Sequence, residues 1–243
     1  QTSAMGQDPE ILAEVCTWVN GVATKPVWAK MTPNITHIVD PARAALAAGC
    51  EGISAINTIL CVMGVDLETL RPEPTVEGYT VPGGYSSKAV RPIALRMVME
   101  LATMMYGGFS GQPIPKDGAA PPPGEFPDRS LSAIGGVETG EDAAQFILMG
   151  AHTVQVCTGV MIHGYGLVKT LCAQLESFME HHGFETLADF RGRSLEYFTT
   201  HAELVRLQAE AKAAAKAKKM VKQDADWSGD KFVEQSDDLV AGD

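Results

Sequence analysis

The chain has 243 residues, is 45% hydrophobic and carries a net charge of −11, with a mean hydropathy of zero. That is enough chain and apolar content for one sizeable core. The acidic balance argues against a nucleic-acid surface, which needs clustered Lys and Arg, and no apolar run approaches the ~20 residues of a membrane span.

Asp8-Pro9 reads as a helix start, Asp8 as N-cap and Pro9 at the first helical position, leading into EILAEVCTWV. KPVWAKM (25–31) is a short buried strand, HIVDPARAALAAGC a helix ending near Gly49, and EGISAIN (51–57) a second strand. Residues 58–88, with Pro72, Pro74, Pro82 and four glycines, read as a long loop. AVRPIALRMVMELATMMY (89–106) is a helix, and 107–128 a Pro/Gly-rich surface loop. RSLSAIGG (129–136) is a third strand, GEDAAQFILMG a helix, HTVQVCTG (152–159) a fourth strand, and a long helix follows from about 162 to 181. Nothing after 182 reads as a strand. The Ala- and Lys-rich segment 201–223 is a strong helix former, expected as a separate charged tail over 201–243.

Short apolar strands alternating with amphipathic helices predict βα units around a parallel sheet. Ligands bind such sheets at the carboxyl ends of the strands. Two small-residue turns stand at that end: Gly135-Gly136 after the third strand, and Cys157-Thr158-Gly159 after the fourth. A lone Gly-Gly is usually only a tight turn. On two successive strands, such turns offer bare backbone N–H groups as an anion cradle. Lys30 ends the first strand, before Thr32-Pro33-Asn34. Asn57 and Thr58 end the second, where an amide that both donates and accepts can read a ring bearing a carbonyl and an N–H, or merely shape a turn. The five cysteines (16, 50, 61, 157, 172) form no C-x-x-C pair, so no metal site is expected, and Cys16 is assigned to packing.

The segments VWAKMTPNITHIVDPARAALAAGCEGISAINT, PGGYSSKAVRPIAL and LSAIGGVETGEDAAQFILMGAHTVQVCTGVMIHGYGLVKTLC together resemble the flavin domain of the dihydropyrimidine dehydrogenases, plant type, within the dihydroorotate dehydrogenase-like FMN barrels. The resemblance covers about residues 3 to 200. It implies a (β/α)8 barrel holding FMN and reducing uracil and thymine to their 5,6-dihydro forms, with NADPH as donor at a site outside this chain. Position by position, it implies that Lys30 contacts the N1–C2=O edge of the flavin, where a cation stabilises negative charge. It further implies that Asn57 and Thr58 hold the pyrimidine, and that Gly135, Gly136, Cys157 and Thr158 hold the phosphate side. Ser87 falls where related barrels often carry glycine in a G-G-x-S-G loop; here the sequence is GGYSS.

Two departures stand out. A complete barrel needs eight βα units and four are found, so residues 1–200 read as its C-terminal half, inactive when isolated. The animal-type enzyme places a proton-donating cysteine before G-Q-D-P, where this chain has the aprotic Met5; Ser3 becomes the candidate donor within the chain. The alternatives are dihydroorotate oxidation, or an inactive fragment serving as an interaction module. A homo-oligomer is expected. No targeting segment is read in the chain; the plant-type resemblance implies a plastid, and the cytoplasm is the alternative.

Overall fold

The computed structural model describes residues 5–107 and 123–225, and side chains as far as residue 216. Asp8 opens α1 (Pro9–Val22) by accepting from the backbone N–H groups of Glu10 and Ile11 at 3.0 and 3.2 Å. Then come β1 (Trp28–Met31), α2 (Val39–Ala47) and β2 (Gly52–Ala55). The next stretch holds β3 (Ile59–Cys61), β4 (Gly64–Asp66), β5 (Arg71–Glu73) and β6 (Gly83–Tyr85), and α3 (Arg91–Tyr106) follows. The core pattern resumes with β7 (Ser130–Ile134), α4 (Gly140–Leu148), β8 (Thr153–Gln155), α5 (Thr158–His163) and α6 (Leu167–His182). A second compact unit begins at Thr199 and contains α7 (His201–Ala225), which covers the predicted tail helix.

Two expectations need correction. Residues 58–88 are not a plain loop: β3 pairs with β6 and β4 with β5 as antiparallel ribbons. Their three-residue strands carry Pro72, Gly83 and Gly84, so the alternation that betrays a strand is too short to read. The helix expected from about 162 to 181 is two helices. Gly164, at φ +76°, ends α5 by donating to the Val160 carbonyl at 2.8 Å, and α6 restarts at Leu167. Of the predicted loop 107–128, residues 108–122 lie outside the described residues, as does Ser3.

β1, β2, β7 and β8 form one parallel sheet in that order. Spatial order follows chain order without reversal, so right-handed crossovers place α2, α3 and α4 on the same face. That is the winding of a barrel wall, not of a doubly wound sheet. Ala29, Met31, Ile53, Ala55, Leu131 and Ala133 form the helix-covered outer face, buried with Leu46, Met97, Leu101 and Phe146. The alternate residues form the inner face. Lys30, Ser54, Ser132 and Thr153 lie in register across all four strands. Trp28 lies flat over Gly52, where a Cβ would come within 2.5 Å of its ring. Among the described residues β1 and β8 each have a single partner and are edges. Cys16 is core packing: burial, with a hydrogen bond to Cys50, pushes its thiol up to about 12.

Candidate functional site

At the carboxyl ends of the four strands lies a cavity of about 250 Å³. Its lining includes Lys30 from β1, Asn57 and Thr58 after β2, Ser87 before α3, Gly135 and Gly136 after β7, and Cys157 and Thr158 after β8. Eight of the nine residues singled out in the sequence thus meet in one place; the ninth, Ser3, is outside the described residues. Met5 sits in a short 3-10 turn (Met5–Gln7) and is 54% exposed.

The β7–α4 turn is held by its backbone shape and by one carboxylate. Gly135 and Gly136 have φ of +145° and +73°. A Cβ on Gly136 would come within 2.6 Å of the Ser87 carbonyl. Only glycine satisfies both demands. Asp142 caps the turn, accepting from the N–H groups of Glu138 and Thr139 at 2.9 and 3.0 Å, and is ion-paired with Arg91, which also donates to the Gly136 carbonyl at 3.5 Å. Gly140 N–H is taken by Gln174 at 2.7 Å. The α4 end of the turn is therefore internally satisfied. The N–H groups of Gly136 and Val137 have no partner among the described residues, and the first-turn amides of α5 lack intrahelical acceptors. These amides, from two successive strand ends, border the same cavity. Gly159 lets the turns approach: its Cβ would meet the Val137 carbonyl at 2.8 Å.

Ser87 has φ +70° and ψ −162°, a region that is essentially glycine's own. Its hydroxyl donates at 3.3 Å to Glu138, which also lines the cavity. Glu138 is approached as well by Lys88 at 3.1 Å and His163 at 3.3 Å. The Lys88 ammonium foremost, with His163 and Ser87 adding their hydrogen bonds, holds the Glu138 carboxyl below the usual carboxylate range. At the other end, Asn57 Oδ1 accepts from Thr58 N–H at 2.8 Å, which leaves the amide NH2 of Asn57 as its donor toward the cavity. Asn34 ties the loops together, donating to the Thr58 carbonyl at 3.1 Å and accepting from Leu60 N–H at 2.8 Å.

Glu138, Tyr85, Ser86 and Gln155 line the cavity without having stood out in the sequence. Of these, only Glu138 had a usable signal, its place two residues after Gly135-Gly136. Among the described residues no three His, Cys, Asp or Glu side chains gather as metal ligands would, and no helix is long and apolar enough to cross a membrane.

The model of the dihydroorotate dehydrogenase family matches residues 1–179. The chain is 60% identical over 240 residues, 98% of its length, to the chloroplastic dihydropyrimidine dehydrogenase (NADP(+)) of Arabidopsis thaliana, covering 53% of that protein. It is 39% identical over 78% of its length to the PreA subunit of NAD-dependent dihydropyrimidine dehydrogenase of Escherichia coli (strain K12), covering 42% of it. To the catalytic subunit of dihydroorotate dehydrogenase B (NAD(+)) of Alkaliphilus metalliredigens it is 35% identical over 77% of its length, covering 53% of it. The chain spans about half the length of these curated relatives. The family's fold is a (β/α)8 barrel, and the four parallel βα units are part of one: the chain belongs to the dihydroorotate dehydrogenase family.

Proposed function

We propose that this chain is the C-terminal half of an FMN-dependent barrel that reduces uracil and thymine to 5,6-dihydropyrimidines with NADPH. The observation that carries the reading is the convergence of Lys30, Asn57, Thr58, Ser87, Gly135, Gly136, Cys157 and Thr158 on one cavity at the carboxyl ends of the strands. The residues suit FMN. A Cβ would fill the Gly136 cradle, where unpartnered backbone amides await an anion, and Lys30 makes no ion pair among the described residues. The backbone around Gly136 and the first turn of α5 would hold the phosphate, and the Lys30 ammonium the N1–C2=O edge of the ring. When bound, FMN supplies hydride transfer to the pyrimidine 5,6 double bond. Asn57, whose NH2 is the side left over from its own turn, orients the pyrimidine with Thr58.

The proton for the other ring carbon needs a donor within hydrogen-bond reach. Met5 has none to give, so Ser3, acting through a relay, is the candidate within this chain. Ser3→Ala that leaves turnover and its pH dependence unchanged removes that candidate.

The cavity is slightly below the ~300–1,000 Å³ of a complete ligand pocket. Apolar residues also remain exposed at both ends of the half: Ile11, Trp18 and Val22 along one stripe of α1, and Met161 and Ile162 on α5. With two open sheet edges, this is the surface another half must cover. A homo-oligomeric enzyme in the plastid is part of the same reading. Dihydroorotate oxidation is disfavoured because that substrate brings a carboxylate, while Lys88 and Arg91 are already paired with Glu138 and Asp142.

The test is to purify the full-length protein, record its flavin spectrum, and compare NADPH oxidation with uracil and thymine against turnover of dihydroorotate. A colourless protein, or one that turns over only dihydroorotate, overturns the reading.

A further inference from the structure

Gln155 ends β8 on the inner face and lines the cavity with Lys30. Its amide nitrogen donates to two hydroxyls on the neighbouring strands, Ser132 Oγ on β7 at 2.7 Å and Ser54 Oγ on β2 at 2.9 Å. Ser132 is held in turn by Thr153 Oγ1 at 2.8 Å. Both serines are buried. This fork takes up both amide hydrogens and fixes the plane of the group. The hydrogen-bonding atom left on Gln155 is Oε1, which can only accept. Barrel interiors are normally filled by bulky branched side chains. Here the row is Lys30, Ser54, Ser132 and Thr153, with Gln155 reaching back across it. Such a row adds little apolar packing, but it orients one amide.

We propose that Gln155 is a ligand-reading residue of this site: its Oε1 accepts from the ring N–H of a bound imide, while Lys30 donates to the adjoining carbonyl. An acceptor and a donor on one cavity wall match a ring edge that presents N–H beside C=O. Flavin and uracil both carry that edge at N3, so the chemistry is shared and the source is decided by experiment. Ser54 and Ser132 are positioning residues acting through Gln155. The inference rests on the flavin-barrel reading of the cavity.

The test deletes the hydrogen from the ligand as well as the acceptor from the protein. Flavin-free full-length protein, wild type and Gln155→Met, is titrated with FMN and with 3-methyl-FMN, which lacks the N3–H. The FMN-loaded proteins are titrated with uracil and 3-methyluracil. Wild type should prefer the unmethylated member of one pair, and Gln155→Met should lose about tenfold in affinity for that member, the size of one buried hydrogen bond, with little loss for its methylated form. The pair on which this happens identifies the ring. Ser132→Ala, which removes one arm of the fork, should erode the same preference by about threefold, within the range of a partly lost hydrogen bond, and this serves if the Gln155 variant does not fold. Equal weakening of both members of each pair, or no change in either variant, makes the amide an internal brace and overturns the proposal. Wild-type protein that binds neither flavin overturns the flavin reading and this inference with it. Wild-type protein that binds flavin and uracil without preferring either unmethylated form overturns this inference alone.

Discussion

The two faces of the parallel sheet are built from alternating residues of the same four strands and follow opposite chemistries. On the outer face, Met31, Ile53 and Leu131 are fully buried under helices and make no polar contact through their side chains. On the inner face, Ser54, Ser132, Thr153 and Gln155 form a hydrogen-bonded row, with Lys30 in register beside it, ending at a cavity. The strand period of two separates the tasks. The outer face packs the fold together, and the inner face lines up polar groups toward the cavity. Stability and ligand binding should therefore respond to different substitutions, even at adjacent residues.

Substitutions at the rim of the inner face and in the core of the outer face should divide most sharply. Gly136→Asp puts a carboxylate where a phosphate would lie, at a cost on the order of 4 kcal/mol for like charges ~4 Å apart at intermediate dielectric, in addition to the clash that any Cβ there makes with the Ser87 carbonyl. The full-length protein should emerge without flavin; wild-type flavin content would place the anion site elsewhere. Leu131→Ala should lower unfolding free energy by about 2–5 kcal/mol in a denaturant titration. Its neighbour Ser132→Ala should cost under about 1.5 kcal/mol; equal losses at 131 and 132 would break the division. Asn57→Ala should weaken uracil binding by about 1–3 kcal/mol and leave the thermal midpoint in place.

Two smaller effects sharpen the picture. Ser87→Gly relieves a strained backbone and should stabilise the protein by about 1 kcal/mol, read as a raised thermal midpoint. His152 lies away from the cavity, with Tyr106 at 3.2 Å. Burial first, and then Arg191, pushes its imidazole below the ordinary 6.5. The unfolded chain therefore takes up the proton more readily than the folded one, so the contribution is whole above pH 6.5 and fades as pH falls below it. His152→Gln should flatten that part of the stability–pH curve, and an unchanged slope would assign it to other groups.

The backbone-built part of the site was legible in the sequence, because glycines at φ +145° and +73° leave an unmistakable Gly-Gly after an apolar run. Lys30 and Asn57 were legible because each interrupts an apolar strand at its end. Gln155 was not. Its fork reaches Ser54, 101 residues away, and one serine in GISA and another in SLSAI carry no spacing to read. The ribbons of residues 59–85 were hidden for a related reason. Strands of three residues with Pro and Gly inside them are set by pairing across the ribbon rather than by local preference.

Ser87 holds its glycine-like backbone while giving its hydroxyl to Glu138. Selection for stability alone would drift this position to glycine, which takes the same shape without strain. The serine is worth keeping only while a carboxylate stands at 138 to receive it. Across related barrels the two positions should therefore change together: serine at 87 where 138 is acidic, glycine where it is not. An alignment deep enough to show serine retained without the carboxylate would detach the strain from the hydrogen bond.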